Sequence, residues 1–137
     1  MFIKKLENAD IENISEIEKI CFPDTFWTME QIQSHLKNFY GMGMFNQSII
    51  GYILFSETIS EIEILRIGVL PDERRKGLAE KLIYEIKDRK KDLILEVSDT
   101  NDFALKLYQK CGFKTIHSRK KYYRDESNAL ILKYTVI

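Results

Sequence analysis

Isoleucines at positions 11, 14, 17 and 20 recur close to the helical period and lay one apolar stripe on a helix that starts after Asp10, a residue type suited to its N-cap. Ahead of it, residues 2–6 read as a short strand. Phe22-Pro23-Asp24-Thr25-Phe26-Trp27 breaks the period, because proline cannot continue a helix. Thr28-Met29-Glu30-Gln31 then has the T-x-x-Q form of a capping box, which predicts a second helix from Met29 to about Lys37. Three runs rich in branched and aromatic residues follow at 42–45, 49–55 and 62–69, with short connections at 46–48 and 58–60, and predict an antiparallel meander. A helix from about Lys76 to Arg89 carries Leu78, Leu82, Ile83 and Ile86 on one face, with Arg89, Lys90 and Lys91 at its negative C-terminal end. Residues 93–97 form a buried-type strand. The spacing of Ala104, Leu107, Tyr108 and Cys111 predicts a helix over 102–110, with Gly112 as its stop, and two strands near 116–123 and 129–136 close the chain.

The order β-α-α-β-β-β-α-β-α-β-β predicts an α/β (α+β) fold, a central mixed but mostly antiparallel sheet flanked by helices. No repeat, low-complexity tract or linker divides the chain, and 137 residues suffice for one core but not two, so residues 1–137 are expected to form a single domain.

Charge and cysteine content remove several function classes. Lysine plus arginine number 21 and aspartate plus glutamate number 21, so no global field favours nucleic acid or a membrane surface. Cys21 and Cys111 stand apart without CxxC pairing, and His35 and His117 lack ligand-spaced partners; reduced packing thiols and no metal are expected. With no apolar run of about 18 residues and no signal-like N-terminus, a cytoplasmic location without membrane span is expected. Residues 118–124 mix basic and aromatic side chains, and a solvated strand edge explains them better than RNA contact.

Residues 64–79 carry more information: a strand, a basic turn Arg74-Arg75-Lys76-Gly77, then a helix. A helix N-terminus offers unpaired N–H groups and a positive dipole end, and glycine admits an anion close to the backbone. Taken alone, the same residues would also suit an ordinary solvated turn. Gly41-Met42-Gly43 lacks the third glycine of a dinucleotide fingerprint and precedes a strand, and no Walker loop is present.

Arg74-x-x-Gly77-x-Ala79, after a strand ending in Val69-Leu70-Pro71, resembles motif A of the GNAT acetyltransferases, and Leu95-Glu96-Val97, Asn101, Tyr108 and Gly112-Phe113 resemble their motif B. Within that superfamily, Phe22-Pro23, Trp27, Glu96, Asn101, Tyr108 and Tyr122-Tyr123 resemble the pattern of the RimI family, bacterial enzymes that acetylate the N-terminal alanine of a small-subunit ribosomal protein. Ala79, Ser98 and Ser127-Asn128 depart from that pattern, at positions where the family often has glycine, arginine and an acidic residue.

The resemblance implies a GNAT-type fold with acetyl-CoA as cosubstrate and an amine acceptor, either a protein N-terminus or a small amine. It implies that Arg74, Arg75, Lys76, Gly77, Leu78, Ala79 and Glu80 cradle the CoA diphosphate, that the backbone of Ile67, Gly68 and Val69 holds the pantetheine, and that Asn101 touches the cofactor. Asn101 also suits a helix cap, and both can hold. Glu96 interrupts an apolar strand, where a solvent-facing carboxylate is the ordinary explanation; the resemblance makes it the general base, and burial in a cleft would raise its pKa. Tyr108 falls on an inward helix face as a core tyrosine would; the resemblance makes it the acid for the departing thiolate. Phe22, Trp27, Tyr122 and Tyr123 are expected to border the acceptor. Enzymatic rivals act on lysine or small amines, and a non-catalytic CoA-binding module is the alternative of another class.

Overall fold

The computed structural model describes residues 1–137. Its strands are β1 (Phe2–Lys5), β2 (Tyr40–Asn46), β3 (Ser48–Glu57), β4 (Glu61–Val69), β5 (Asp92–Ser98), β6 (Lys114–Arg119) and β7 (Ala129–Tyr134), and its helices are α1 (Ile11–Cys21), α2 (Met29–Asn38), α3 (Leu78–Lys87) and α4 (Asp102–Lys110). The strands form one sheet in the order β1-β2-β3-β4-β5-β7-β6, antiparallel at every pairing except β4 with β5. Apart from two short 3-10 turns, the expected element order is the observed one.

The sheet is covered on both faces, which is why β3 is buried along nearly its whole length. Tyr52 and Leu54 pack with Ile11, Ile14, Ile17 and Ile32 beneath α1 and α2, whereas Ile53 and Phe55 pack with Leu82, Ile83 and Ile86 of α3 on the other face. Period-2 alternation in the strand and period-3.6 stripes on the helices thus meet in two apolar layers.

Caps define the helix starts, with two departures from expectation. Thr28 Oγ1 accepts the Gln31 N–H at 3.1 Å and Gln31 Oε1 accepts the Thr28 N–H at 2.8 Å, the reciprocal box read from the sequence. Asp10 occupies the N-cap of α1 but makes no side-chain cap bond there; its carboxylate instead accepts the Glu7 N–H at 2.8 Å. Helix α3 starts at Leu78 and not at Lys76, because Arg75 (φ 66°) and Gly77 (φ 73°) take left-handed conformations that no α-helix contains. At the far end β6 stops at Arg119, and the chain turns at Lys121 (φ 51°), so Tyr122 and Tyr123 lie in a turn and not in the expected strand.

One irregularity of β4 lies just past the end of its pairing with β5. Phe55 pairs with Ile64 and Leu54 with Arg66, so Leu65 is an extra residue in β4, a bulge. Bulges bend a strand and sharpen its twist. β4 and β5 pair only over Glu61–Glu63 and Asp92–Ile94. Past that point β5 keeps its antiparallel partner β7 while Arg66–Val69 diverge from Leu95–Ser98.

The capping box makes a local test. Thr28→Ala should cost about 1 kcal/mol and lower Tm by about 4 °C, measured by scanning calorimetry, with no change in the far-UV circular dichroism of the folded chain.

Candidate active site

The divergence of β4 from β5 opens a groove of about 1220 Å³, floored by the two strands and flanked by the turn into α3 and by α4. Fourteen of the expected site residues line it: Glu96, Tyr108, Ile67, Gly68, Val69, Arg74, Arg75, Gly77, Leu78, Ala79, Glu80, Asn101, Phe22 and Tyr123. Lys76, Trp27 and Tyr122 do not. Lys76 pairs with Glu73 at 2.9 Å, Trp27 packs behind the groove against His35, and exposed Tyr122 sits edge-on to Tyr123.

At the basic turn, the N–H groups of residues 75–80 have no hydrogen-bond acceptor within the chain; the first helical bond after the turn is Lys81 N–H to Gly77 O at 3.1 Å. Two left-handed residues two positions apart curl the backbone and leave six successive N–H groups unpaired, a concavity suited to an anion. A Cβ on Gly77 would meet nothing within 4 Å, so glycine serves the backbone conformation there and leaves open space above it. Of the three basic side chains, Arg75 is exposed and has no ion-pair partner. Arg74 folds back, donating from Nε to Val69 O at 3.1 Å and from Nη2 to Cys21 Sγ at 3.5 Å. Cys21, expected only to pack, also donates to Val69 O at 3.4 Å.

Along β4, Leu70 N–H bonds to Ile50 O at 2.9 Å, so by strand alternation the peptide groups of Ile67 and Val69 face the groove, not β3. Gly68 leaves room for Tyr52, whose hydroxyl would stand 2.7 Å from any Cβ at that position.

Across the groove, Leu93, Leu95 and Val97 bury one face of β5 and leave Glu96 on the other. Its side chain is about one-third exposed. It accepts the Tyr123 hydroxyl at 3.1 Å, and Arg119 lies 3.8 Å away. Burial and the neighbouring Glu96 carboxylate push the Tyr123 hydroxyl up to about 12. Tyr108 is buried against Phe113, with ring centroids 5.6 Å apart. No protein hydrogen bond claims its hydroxyl, and the chain leaves no buried polar side-chain atom without a partner, so that hydroxyl reaches the groove. Burial, with a smaller contribution from Cys111, pushes it up to about 12. Asn101 caps α4 by accepting the Ala104 N–H at 3.2 Å while also lining the groove. Ser98, at the position of the family's arginine, bonds to Ser127 at 2.9 Å.

The residue reading missed Glu18, Arg66 and Tyr52. Glu18 is a fully buried charge on α1 that accepts hydrogen bonds from Arg66, Tyr52 and the Trp27 N–H. Four positions after Ile14, it falls on the apolar stripe, and a carboxylate there was a visible signal. Burial and the Glu18 charge hold the Tyr52 hydroxyl above its ordinary range. His35 is buried, with Nε2 2.9 Å from Tyr40 O, and desolvation lowers its pKa, while His117 sits on exposed β6. No helix is long and apolar enough to cross a membrane.

A diverging strand pair, an anion cradle and a carboxylate facing a tyrosine-lined groove are the parts of an acyl-CoA transferase. The Acetyltransferase (GNAT) family model matches residues 5–113, and the chain belongs to that family of N-acetyltransferases. It is 30% identical to the ribosomal protein bS18-alanine N-acetyltransferase of Haemophilus influenzae over 95% of this chain and 95% of that one. It is 31% identical to an N-alpha-acetyltransferase of Saccharolobus solfataricus over 93% and 90% of the two chains. In structure it resembles the ribosomal-protein-S18-alanine N-acetyltransferase of Escherichia coli, with TM-score 0.90 and 25% identity over 98% and 93%.

The tyrosines offer a pH test. An unfolded tyrosine loses its proton near pH 10, whereas folded Tyr108 and Tyr123 hold theirs to about 12. Between those values the unfolded chain binds fewer protons, so stability is intact below about pH 10 and declines as pH rises toward 12. Absorbance titration at high pH should show late-ionising phenols, one fewer in Tyr108→Phe, and a Tyr108 step near 10 would contradict the buried placement.

Proposed function

We propose that this chain transfers the acetyl group of acetyl-CoA to the α-amino group of a protein N-terminus, with the alanine of a small-subunit ribosomal protein as its acceptor. One observation carries the cosubstrate: six successive unpaired N–H groups at residues 75–80, beside exposed Arg75, at one end of the groove that Glu96 lines. The CoA diphosphate fits that cradle, with Arg75, Gly77, Leu78, Ala79 and Glu80 around it. The pantetheine runs along the free edge of β4 as an added strand would, on the peptide group of Ile67 and the N–H of Val69, whose carbonyl is held by Arg74 and Cys21. An N–H of this edge polarises the thioester carbonyl as charge develops on its oxygen. Kinship with the Haemophilus and Escherichia enzymes supports the acceptor. That acceptor places the reaction in the cytoplasm, and with one sheet carrying the whole groove, residues 1–137 act as a single domain.

An N-terminal ammonium has a reference pKa of about 7.7–8.0 and cannot attack until deprotonated. Glu96, directly or through a water, takes that proton; Tyr123 and Arg119 hold its carboxylate toward the groove. The amine nitrogen then bonds to the carbonyl carbon, the C–S bond breaks, the electron pair leaves on sulfur, and the second proton shed by the nitrogen passes through water to that thiolate. A phenol held up to about 12 is a poor acid toward a thiolate of about 8.5. Tyr108 therefore acts chiefly by donating a hydrogen bond to the departing sulfur. Phe22 forms the acceptor wall beneath the loop of residues 22–27, and Tyr123 borders the opposite side.

Glu96→Gln should lower kcat by about 10²–10⁴-fold with CoA affinity by calorimetry unchanged; full turnover would remove Glu96 from the reaction. Arg75→Glu should weaken CoA binding on the order of tenfold, and unaltered affinity would remove that arginine from the cradle. Acetyl-CoA offered with alanine-first peptides, internal-lysine peptides and polyamines should yield α-amino acetylation of the first set by mass spectrometry. Modification of polyamines alone would defeat the ribosomal assignment.

A further inference from the structure

At the side of the groove lies an ionic cluster, centred on buried Glu18 and reaching the groove through Arg66, with no part in the transfer chemistry above. Glu18 is 0% exposed, and its two carboxylate oxygens accept from Arg66 Nε at 3.1 and 3.2 Å. Oε1 also accepts the Trp27 N–H at 2.8 Å, and Oε2 accepts the Tyr52 hydroxyl. Arg66 continues past Glu18: its Nη2 donates to Thr25 O at 2.7 Å, and its guanidinium lies 3.9 Å from the centroid of the Phe22 ring. One arginine from β4 and one glutamate from α1 therefore bind Phe22, Thr25 and Trp27, in a loop that has no helix or strand of its own.

A buried ion pair adds little net stability over apolar residues of the same volume, because desolvation offsets most of the attraction. What it supplies is direction: a planar guanidinium with fixed donors sets the height and rotation of whatever it bonds. The third member extends that direction to the cosubstrate side, since the Tyr52 hydroxyl lies directly under Gly68, between the peptide groups that face the groove.

We propose that Glu18 and Arg66, with Tyr52 beneath them, are positioning residues that clamp the 22–27 loop over β4 and so set the acceptor amine against the thioester. This rests on the reading that the acceptor enters under that loop. Glu18 and Tyr52 lie outside the groove, whereas Arg66 lines it beside the Phe22 and Thr25 that it holds.

Trp27 is the only tryptophan, so its fluorescence reports the loop without reference to any acceptor. In Arg66→Met, acrylamide quenching of Trp27 should rise about twofold, and KM for the amine should rise on the order of tenfold, with acetyl-CoA KM and CoA affinity within about twofold of wild type. Glu18→Gln should move the same readouts in the same direction. Arg66→Lys, which keeps the charge but cannot bond Glu18 and Thr25 together while stacking on Phe22, should restore only part of the acceptor KM and keeps the test open if Arg66→Met folds poorly. Unchanged quenching, or a loosened Trp27 with unchanged acceptor KM, would overturn the proposal. The KM comparison is run on whichever amine the wild type acetylates, so a different acceptor would remove the ribosomal reading and leave this one standing.

Discussion

From the bulge at Leu65 onward, β4 has no hydrogen-bonded neighbour on its β5 side, and the rest of the molecule is arranged around that unpaired edge. Free strand edges are sticky and are normally capped, charged or covered. Past Ile94, β5 keeps its ladder with β7 on its far side while its near side parts from β4, so that edge of β4 stays open. A ligand able to imitate a strand meets peptide groups already aimed at it, which lowers the ordering cost of binding.

The electrostatics are equally local. A chain with zero formal net charge attracts an anion only where donors converge, and they converge at residues 75–80. Two of the three basic side chains at that turn have structural partners, Arg74 on Val69 O and Lys76 on Glu73, which leaves backbone N–H groups and Arg75 to supply the attraction. At the other end of the groove a carboxylate is held by a tyrosine and flanked by an arginine, and a second carboxylate, Glu18, is sealed beneath the 22–27 loop. The two acidic groups thus differ in exposure, one open to the groove and one buried beside it.

Legibility in the sequence followed the range of the interaction. The Thr28–Gln31 box and the helix over 102–110 rest on contacts within a few residues of chain, and both appear where the pattern placed them. The start of α3 was misplaced by two residues, because Arg75 takes a left-handed backbone that its side chain does not advertise. The last hairpin was drawn too long, since basic and aromatic residues at 118–124 suit a strand and a turn equally well. Cys21 reads in the sequence as a packing thiol and Arg74 as part of the diphosphate cradle; the fold brings the two side chains together.

By itself, the sequence determined the order of elements and their apolar faces, because hydrophobic period, capping chemistry and glycine placement are all written within short windows; the basic turn at 74–77 it left open between an anion site and a solvated turn. Only the tertiary structure decided that β4 and β5 part, that Tyr108 has an unclaimed hydroxyl in the gap, and that Glu18, Tyr52 and Arg66, up to 48 positions apart, share one buried cluster. Those facts depend on register and on long-range pairing. A single extra residue in one strand redirects every side chain after it, and no local pattern reports that.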